Sequence, residues 1–187
     1  MTISDLVLSP INHSYQHSFR RGGLLPLQPH LLWKIESGFV RTLTWDEEGM
    51  IATLGVWGPG DIVGKPLSQI ELYQIECLTT VKVSCLPFDR DDLQDPLLLH
   101  MKSMEEFLSI IHCQRASLRL LKFLTWLACK FGQKVKQGWL IDLCLTHQQI
   151  AEIIGTTRVT TTRLLNQFRQ EGKLTRLRQH RIMLLNL

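Results

Sequence analysis

The 187 residues predict an α+β chain in three parts: a small antiparallel β unit, a long helix with an apolar seam, and a helix-turn-helix followed by a hairpin. Three observations carry this. Between Gly22 and about Pro87, short alternating runs are separated by glycine, proline and acidic turns. From Leu97 onward apolar residues recur at helical spacing, and residues 146–172 contain two short amphipathic segments around a glycine.

Composition sets the frame. Hydrophobic residues make up 44% and charged residues 20%, which excludes a disordered chain. No apolar run approaches the ~18–20 residues that span a bilayer, and MTISDLVLSPIN lacks the basic start of a secretory signal, so a cytoplasmic protein without membrane partners is expected. Five scattered cysteines without a CxxC predict buried thiols, not a metal site or disulfide framework. Charge is uneven. Residues 1–100 carry seven Lys/Arg against twelve Asp/Glu, and residues 101–187 carry fourteen against five, so the second half suits a polyanion.

Residues 1–20 are polar, His-rich and weakly periodic, and are expected to form a loose arm. LLWKIESGFVRTLTW alternates around a Ser37-Gly38 turn signal, and Asp46–Gly49 and Pro59-Gly60-Asp61 punctuate again. MIATLGVWG reads as a strand. In QIECLTTVKVSCLP, Ile75, Cys77, Thr79, Val81, Val83 and Cys85 share one face. Strands at this spacing suggest a small antiparallel barrel or sandwich.

Asp95-Pro96 reads as a capped helix start. Leu97, Met101, Met104, Leu108 and Ile111, continued by Leu118, then form an a/d seam that suits pairing with a second copy. SLRLLKFLTWLACKFG predicts a further helix closed by Gly132, GQKVKQG a polar loop, and WLIDLCL a short strand.

THQQIAEIIGTTRVTTTRLLNQFRQEG carries the functional signal. In its first helix Ile150, Ala151 and Ile154 form an apolar face, and Gly155 can supply a positive φ. In the second, Thr161, Leu164, Leu165 and Phe168 share one face, so at ~100° per residue Val159, Thr162, Arg163 and Asn166 point the other way, with Arg158 at the rim. One face anchors and the other presents Arg, Thr and Asn to base edges, as a recognition helix requires. KLTRLRQHRIMLLN then predicts a hairpin bearing Lys173, Arg176, Arg178 and Arg181, a wing suited to the DNA backbone.

These segments resemble the Crp/Fnr transcription regulators. LTHQQIAEIIG, TRVTTTRLL and EGKL are similar to the DNA-binding end of the cyanobacterial global nitrogen regulator, and GPGDIVG at 58–64 is similar to the family's β-roll signature. The resemblance implies a β-roll, cyclic-nucleotide-binding-like sensor domain (1–94), a dimerisation helix (95–115) and a winged helix-turn-helix (116–187). It further implies base reading by Arg158, Val159 and Arg163, phosphate contacts from Gln148, Thr156 and Thr157, a GTA…TAC-type site, and double-stranded DNA, a second copy of the chain and RNA polymerase as partners.

Departures from the family bear on any effector, which stays unknown. No arginine lies between Arg41 and Arg90, and Lys65 and Lys82 are the cations nearest the expected roll pocket. Cyclic nucleotide binding is therefore not expected, because a buried phosphate needs paired charge. No cofactor is expected either. An N-terminal cysteine cluster for iron–sulfur is lacking, and His13, His17, His30 or Cys77 as a haem ligand is the weaker alternative. Arg41 and Arg115 are the candidates for a carboxylate effector. No enzyme is expected: His147 with Asp142, or Cys113 with His112, are sequence neighbours without a catalytic constellation. The alternative function is a protein-interaction module without specific DNA binding.

Overall fold

The computed structural model describes residues 16–88, 93–176 and 181–185. The N-terminal part holds β1 (Gln16–Phe19), β2 (Leu31–Ser37), β3 (Val40–Trp45), β4 (Ile51–Trp57), β5 (Ile62–Val63), β6 (Gln74–Cys77) and β7 (Val81–Pro87). They form two antiparallel sheets, β1-β7-β2-β5 and β4-β3-β6. Trp33, Ile35, Val40, Trp57, Ile75, Cys77, Val81 and Val83 pack in one core, as the alternation requires. Thr79 lies outside both strands, and its hydroxyl accepts the Phe39 N–H at 2.9 Å.

One expectation changes here. The expected loose arm contributes β1, paired with β7 from Gln16 to Phe19; residues 1–15 lie outside the described residues. The expected turn at Ser37-Gly38 links β2 to β3, which belong to different sheets. It is a corner between sheets, with Gly38 at φ 84°, where a Cβ would strike the Thr80 carbonyl.

α1 (Gln94–Ile111) starts one residue before the expected Asp95 cap, behind Leu93 and without a side-chain cap. Pro96 sits in the first turn, where its missing N–H costs nothing. The expected helix over 95–115 ends at Ile111, and α2 (Ala116–Phe131) begins after a turn. Leu118 therefore lies on α2, off the seam. α1 turns His100, Ser103, Phe107 and Ile110 into the protein. The seam lies along the edge of that buried face: Leu97 and Ile111 are partly covered, while Met101, Met104 and Leu108 are 64%, 42% and 53% exposed.

A larger core runs from Val56 and Leu78 on the roll, through Phe107, Phe123 and Leu127, to Ile150, Leu164, Phe168 and Ile182. Lys130 on α2 lies at the meeting point of roll and helices. Its ammonium is 2.9 Å from the Asp61 carboxylate and 2.8 Å from the Ser103 hydroxyl. It also stands over the Trp57, Trp126 and Phe131 rings at 5.5, 5.3 and 4.9 Å. The Asp of GPGDIVG thus tethers the helices to the roll.

The C-terminal part comprises β8 (Gln133–Val135), β9 (Gly138–Ile141), α3 (His147–Ile153), α4 (Arg158–Gln170), β10 (Leu174–Arg176) and β11 (Ile182–Leu184). GQKVKQG, expected as a loop, supplies β8, so the wing is the outer half of a sheet ordered β10-β11-β9-β8. Among the described residues no helix is long and apolar enough to cross a membrane.

Candidate nucleic-acid interface

α3 begins with a reciprocal cap. The Thr146 hydroxyl accepts the Gln149 backbone N–H at 3.1 Å while the Gln149 side-chain Oε1 accepts the Thr146 N–H at 3.1 Å. It ends at Gly155, with φ 61°, and the Thr156 N–H folds back to the Ala151 carbonyl at 2.9 Å. Arg119, which sequence reasoning missed, fixes the turn from α2 by donating to the Cys113 carbonyl at 2.8 Å and the Gly155 carbonyl at 3.0 Å. Thr157 caps α4, its hydroxyl accepting the Thr160 N–H at 3.1 Å.

α4 buries Thr161, Leu164, Leu165 and Phe168, the face expected from sequence. Arg158, Val159, Arg163 and Asn166 are exposed, and Val159, an aliphatic residue in the first turn, is 78% exposed. With Thr162, Gln167 and Gln170 these four line a shallow open groove of about 640 Å³ along the helix. Gln148 on α3 is exposed beside this unit and donates to the Glu152 carboxylate at 2.9 Å.

Three candidates also make contacts within the fold. The Thr162 hydroxyl is committed, donating to the Arg158 carbonyl at 2.9 Å and accepting from His147 Nδ1 at 2.7 Å. It ties α4 to α3. The Thr157 hydroxyl is occupied as the α4 cap, donating to Thr160 Oγ1 at 2.9 Å. The Thr156 N–H is used in the turn, donating to the Ala151 carbonyl. His147, at the first position of α3, was not expected to position the second helix; the pairing arises only when the two helices cross.

The basic wing is less bare than its sequence suggests. Lys173 pairs with Glu171 at 2.7 Å, and Arg181 pairs with Asp142 at 2.7 Å. Lys173 holds the Glu171 carboxyl below its ordinary range through that hydrogen bond, reinforced by Gln167. Arg178 lies outside the described residues.

The two effector candidates sit in different surroundings. Arg41 is 4% exposed; its Nε and Nη2 both meet Glu76 Oε2 at 2.7 Å and its Nη1 meets Glu152 Oε2 at 2.7 Å. Arg115 stands exposed at the start of α2. In the stretch after GPGDIVG, Lys65 donates to the Ile70 carbonyl at 2.6 Å beneath Tyr73, and Lys82 is exposed on β7. Cys77 is fully buried, and burial, reinforced by Glu76, pushes its thiol up to about 11, far from a ready thiolate.

Comparison with known proteins bears on this geometry. Residues 118–187 match the Crp-like helix-turn-helix domain. Over 159 residues the chain is 46% identical to the regulatory protein CysR of Synechococcus elongatus, spanning 83% of this chain and 77% of that one. The chain belongs to the Crp/Fnr family. The global nitrogen regulator of the same organism is 50% identical over 68 residues, 36% of this chain and 30% of the relative. A CRP-family transcriptional regulator from Thermus thermophilus shares the fold with a TM-score of 0.76 at 22% identity, over 91% of this chain and 92% of that one. As a Crp/Fnr protein the chain is a DNA-binding transcription regulator with a cyclic-nucleotide-binding-like roll and a C-terminal helix-turn-helix. α3 and α4 lie within the residues that match this helix-turn-helix domain.

Proposed function

We propose that this Crp/Fnr regulator acts in the cytoplasm as a homodimer, placing α4 of each copy in successive major grooves of a two-fold-symmetric DNA site. The observation that carries this is the first turn of α4, where an exposed arginine and an exposed valine stand together above a fully anchored helix. Arg158 suits guanine O6 and N7, and Val159 suits a thymine methyl. Arg163 and Asn166 extend base contact along the groove. Gln148 and the Thr156 hydroxyl reach phosphates, Arg178 follows the backbone from the wing, and Thr157 and Thr162 set the helix in place. The likeness of this segment to the global nitrogen regulators supports GTA…TAC half-sites, and RNA polymerase is the expected further partner.

The division at 1–94, 95–115 and 116–187 serves as roll, dimer helix and DNA-binding unit, with the seam centred on Met101, Met104 and Leu108. The roll works without cyclic nucleotide: Lys65 is engaged by its own loop and no arginine stands between Arg41 and Arg90. The protein turns over no substrate and regulates by occupancy.

Fluorescence anisotropy with matched and random duplexes tests the assignment. Arg158→Ala costs about 1–3 kcal/mol per half-site and relaxes preference at the contacted guanine. Arg178→Ala weakens all duplexes alike and flattens the salt dependence. Equal loss on specific and random DNA in both variants would reduce the basic half to a general polyanion surface and favour an interaction module.

A further inference from the structure

We propose that Arg41 of the roll is a positioning residue for DNA binding, masking the one carboxylate of the α3–α4 unit and holding it beside Gln148. Between Thr146 and Gln170 the only acid is Glu152. A carboxylate on a helix that meets phosphates repels them, since both lie within the ~8–10 Å over which charges act at moderate salt. The structure answers that charge from the other end of the chain. Glu152 Oε2 receives Arg41 Nη1 at 2.7 Å, and Glu152 Oε1 receives Gln148 Nε2 at 2.9 Å. Arg41 is fixed in turn by Glu76, with which it pairs across β3 and β6.

A chain of three side-chain contacts therefore runs from the roll sheet to a residue proposed to touch the DNA backbone. A second roll arginine supports it: Arg21 donates to the Cys144 carbonyl at 2.9 Å and to Gln149 Oε1 at 3.0 Å, gripping the start of α3. The net-acidic half thus uses two of its few arginines on the DNA-binding unit. Any rearrangement that withdraws Arg41 from Glu152 uncovers a negative charge on the DNA face, so the contact couples the roll to DNA affinity.

This inference rests on the reading that α3 and α4 meet DNA. Affinities of the full-length protein for a GTA…TAC duplex and a random duplex, measured across salt, test it in wild type, Arg41→Gln, Glu152→Gln and the double variant. Arg41→Gln weakens both duplexes by on the order of tenfold at low salt, and the deficit shrinks as salt screens the exposed charge. The double variant returns to within about twofold of wild type, as a cycle on one shared contact requires. Glu152→Gln alone stays within about twofold of wild type, because Arg41, though shared with Glu76, already offsets much of the Glu152 charge. Unchanged affinity in Arg41→Gln, or a deficit that survives in the double variant, overturns the proposal. Should Arg41→Gln not fold, Glu152→Gln decides: severalfold tighter binding would mean that the charge was never masked. Wild-type protein that binds neither duplex would remove the DNA-binding reading and this inference together.

Discussion

His100 shows how a single side chain can be committed by its surroundings. Its ring stacks on Trp57 at 4.1 Å and 7°, and its Nδ1 donates to the Ile62 carbonyl at 3.0 Å. Burial lowers its pKa below the ordinary value of 6.5; the Ile62 hydrogen bond and Asp61 oppose that shift, and Lys130 adds to it. The unfolded chain then binds a proton more readily than the folded one. Stability from this group is complete above about pH 6.5 and falls as the pH drops toward the lowered folded value. Melting temperatures between pH 8 and pH 5 should decline below about 6.5, and His100→Gln should flatten that part of the curve. A wild-type curve identical to that of the variant would contradict the placement. At this scale the sequence is legible where a face repeats: Thr161, Leu164, Leu165 and Phe168 are buried as expected. It is silent on His147–Thr162 and Arg41–Glu152, because partners 15 and 111 positions apart are brought together only by the tertiary fold.

Elements are legible wherever local chemistry decides them. The α3 cap, the Gly155 turn and the closure of α2 at Gly132 follow from residues within a few positions. Heptad spacing reveals the α1 seam but not its end, since a 3–4 apolar repeat carries across a turn without a break, as Leu118 does. GQKVKQG reads as a loop because its strand is held by pairing with β9, a contact that polar composition does not reveal. The exposed part of the seam carries a prediction. If Met101, Met104 and Leu108 face a second copy, Leu108→Asp places an unpaired carboxylate in an apolar contact at a cost of several kcal/mol. Sedimentation at micromolar concentration should show a dimer for wild type and a shift toward monomer for the variant. Because Leu108 is exposed in the single chain, the variant should keep its far-ultraviolet helical signal. A wild-type monomer both with and without DNA would overturn the dimer.

For the whole molecule, the order of roll, helix and helix-turn-helix is readable because each part has its own periodicity, whereas the docking of one part on another is not. The roll and the DNA-binding unit share one core through Val56 and Leu78, and their polar contacts pass through Arg21, Arg41 and Lys130. The roll has its own prediction. Calorimetry with cyclic AMP should give no saturable heat at micromolar concentration, and a micromolar dissociation constant would show that the roll supplies a phosphate partner other than Lys65. Selecting bound duplexes from a random pool with the wild-type protein tests whether two copies read base pairs through α4. Enrichment of a two-fold-symmetric GTA…TAC-type site, its half-sites about one helical turn, ~34 Å, apart, is expected. Recovery of sequences with no common half-site, held only by salt-sensitive attraction, would contradict it.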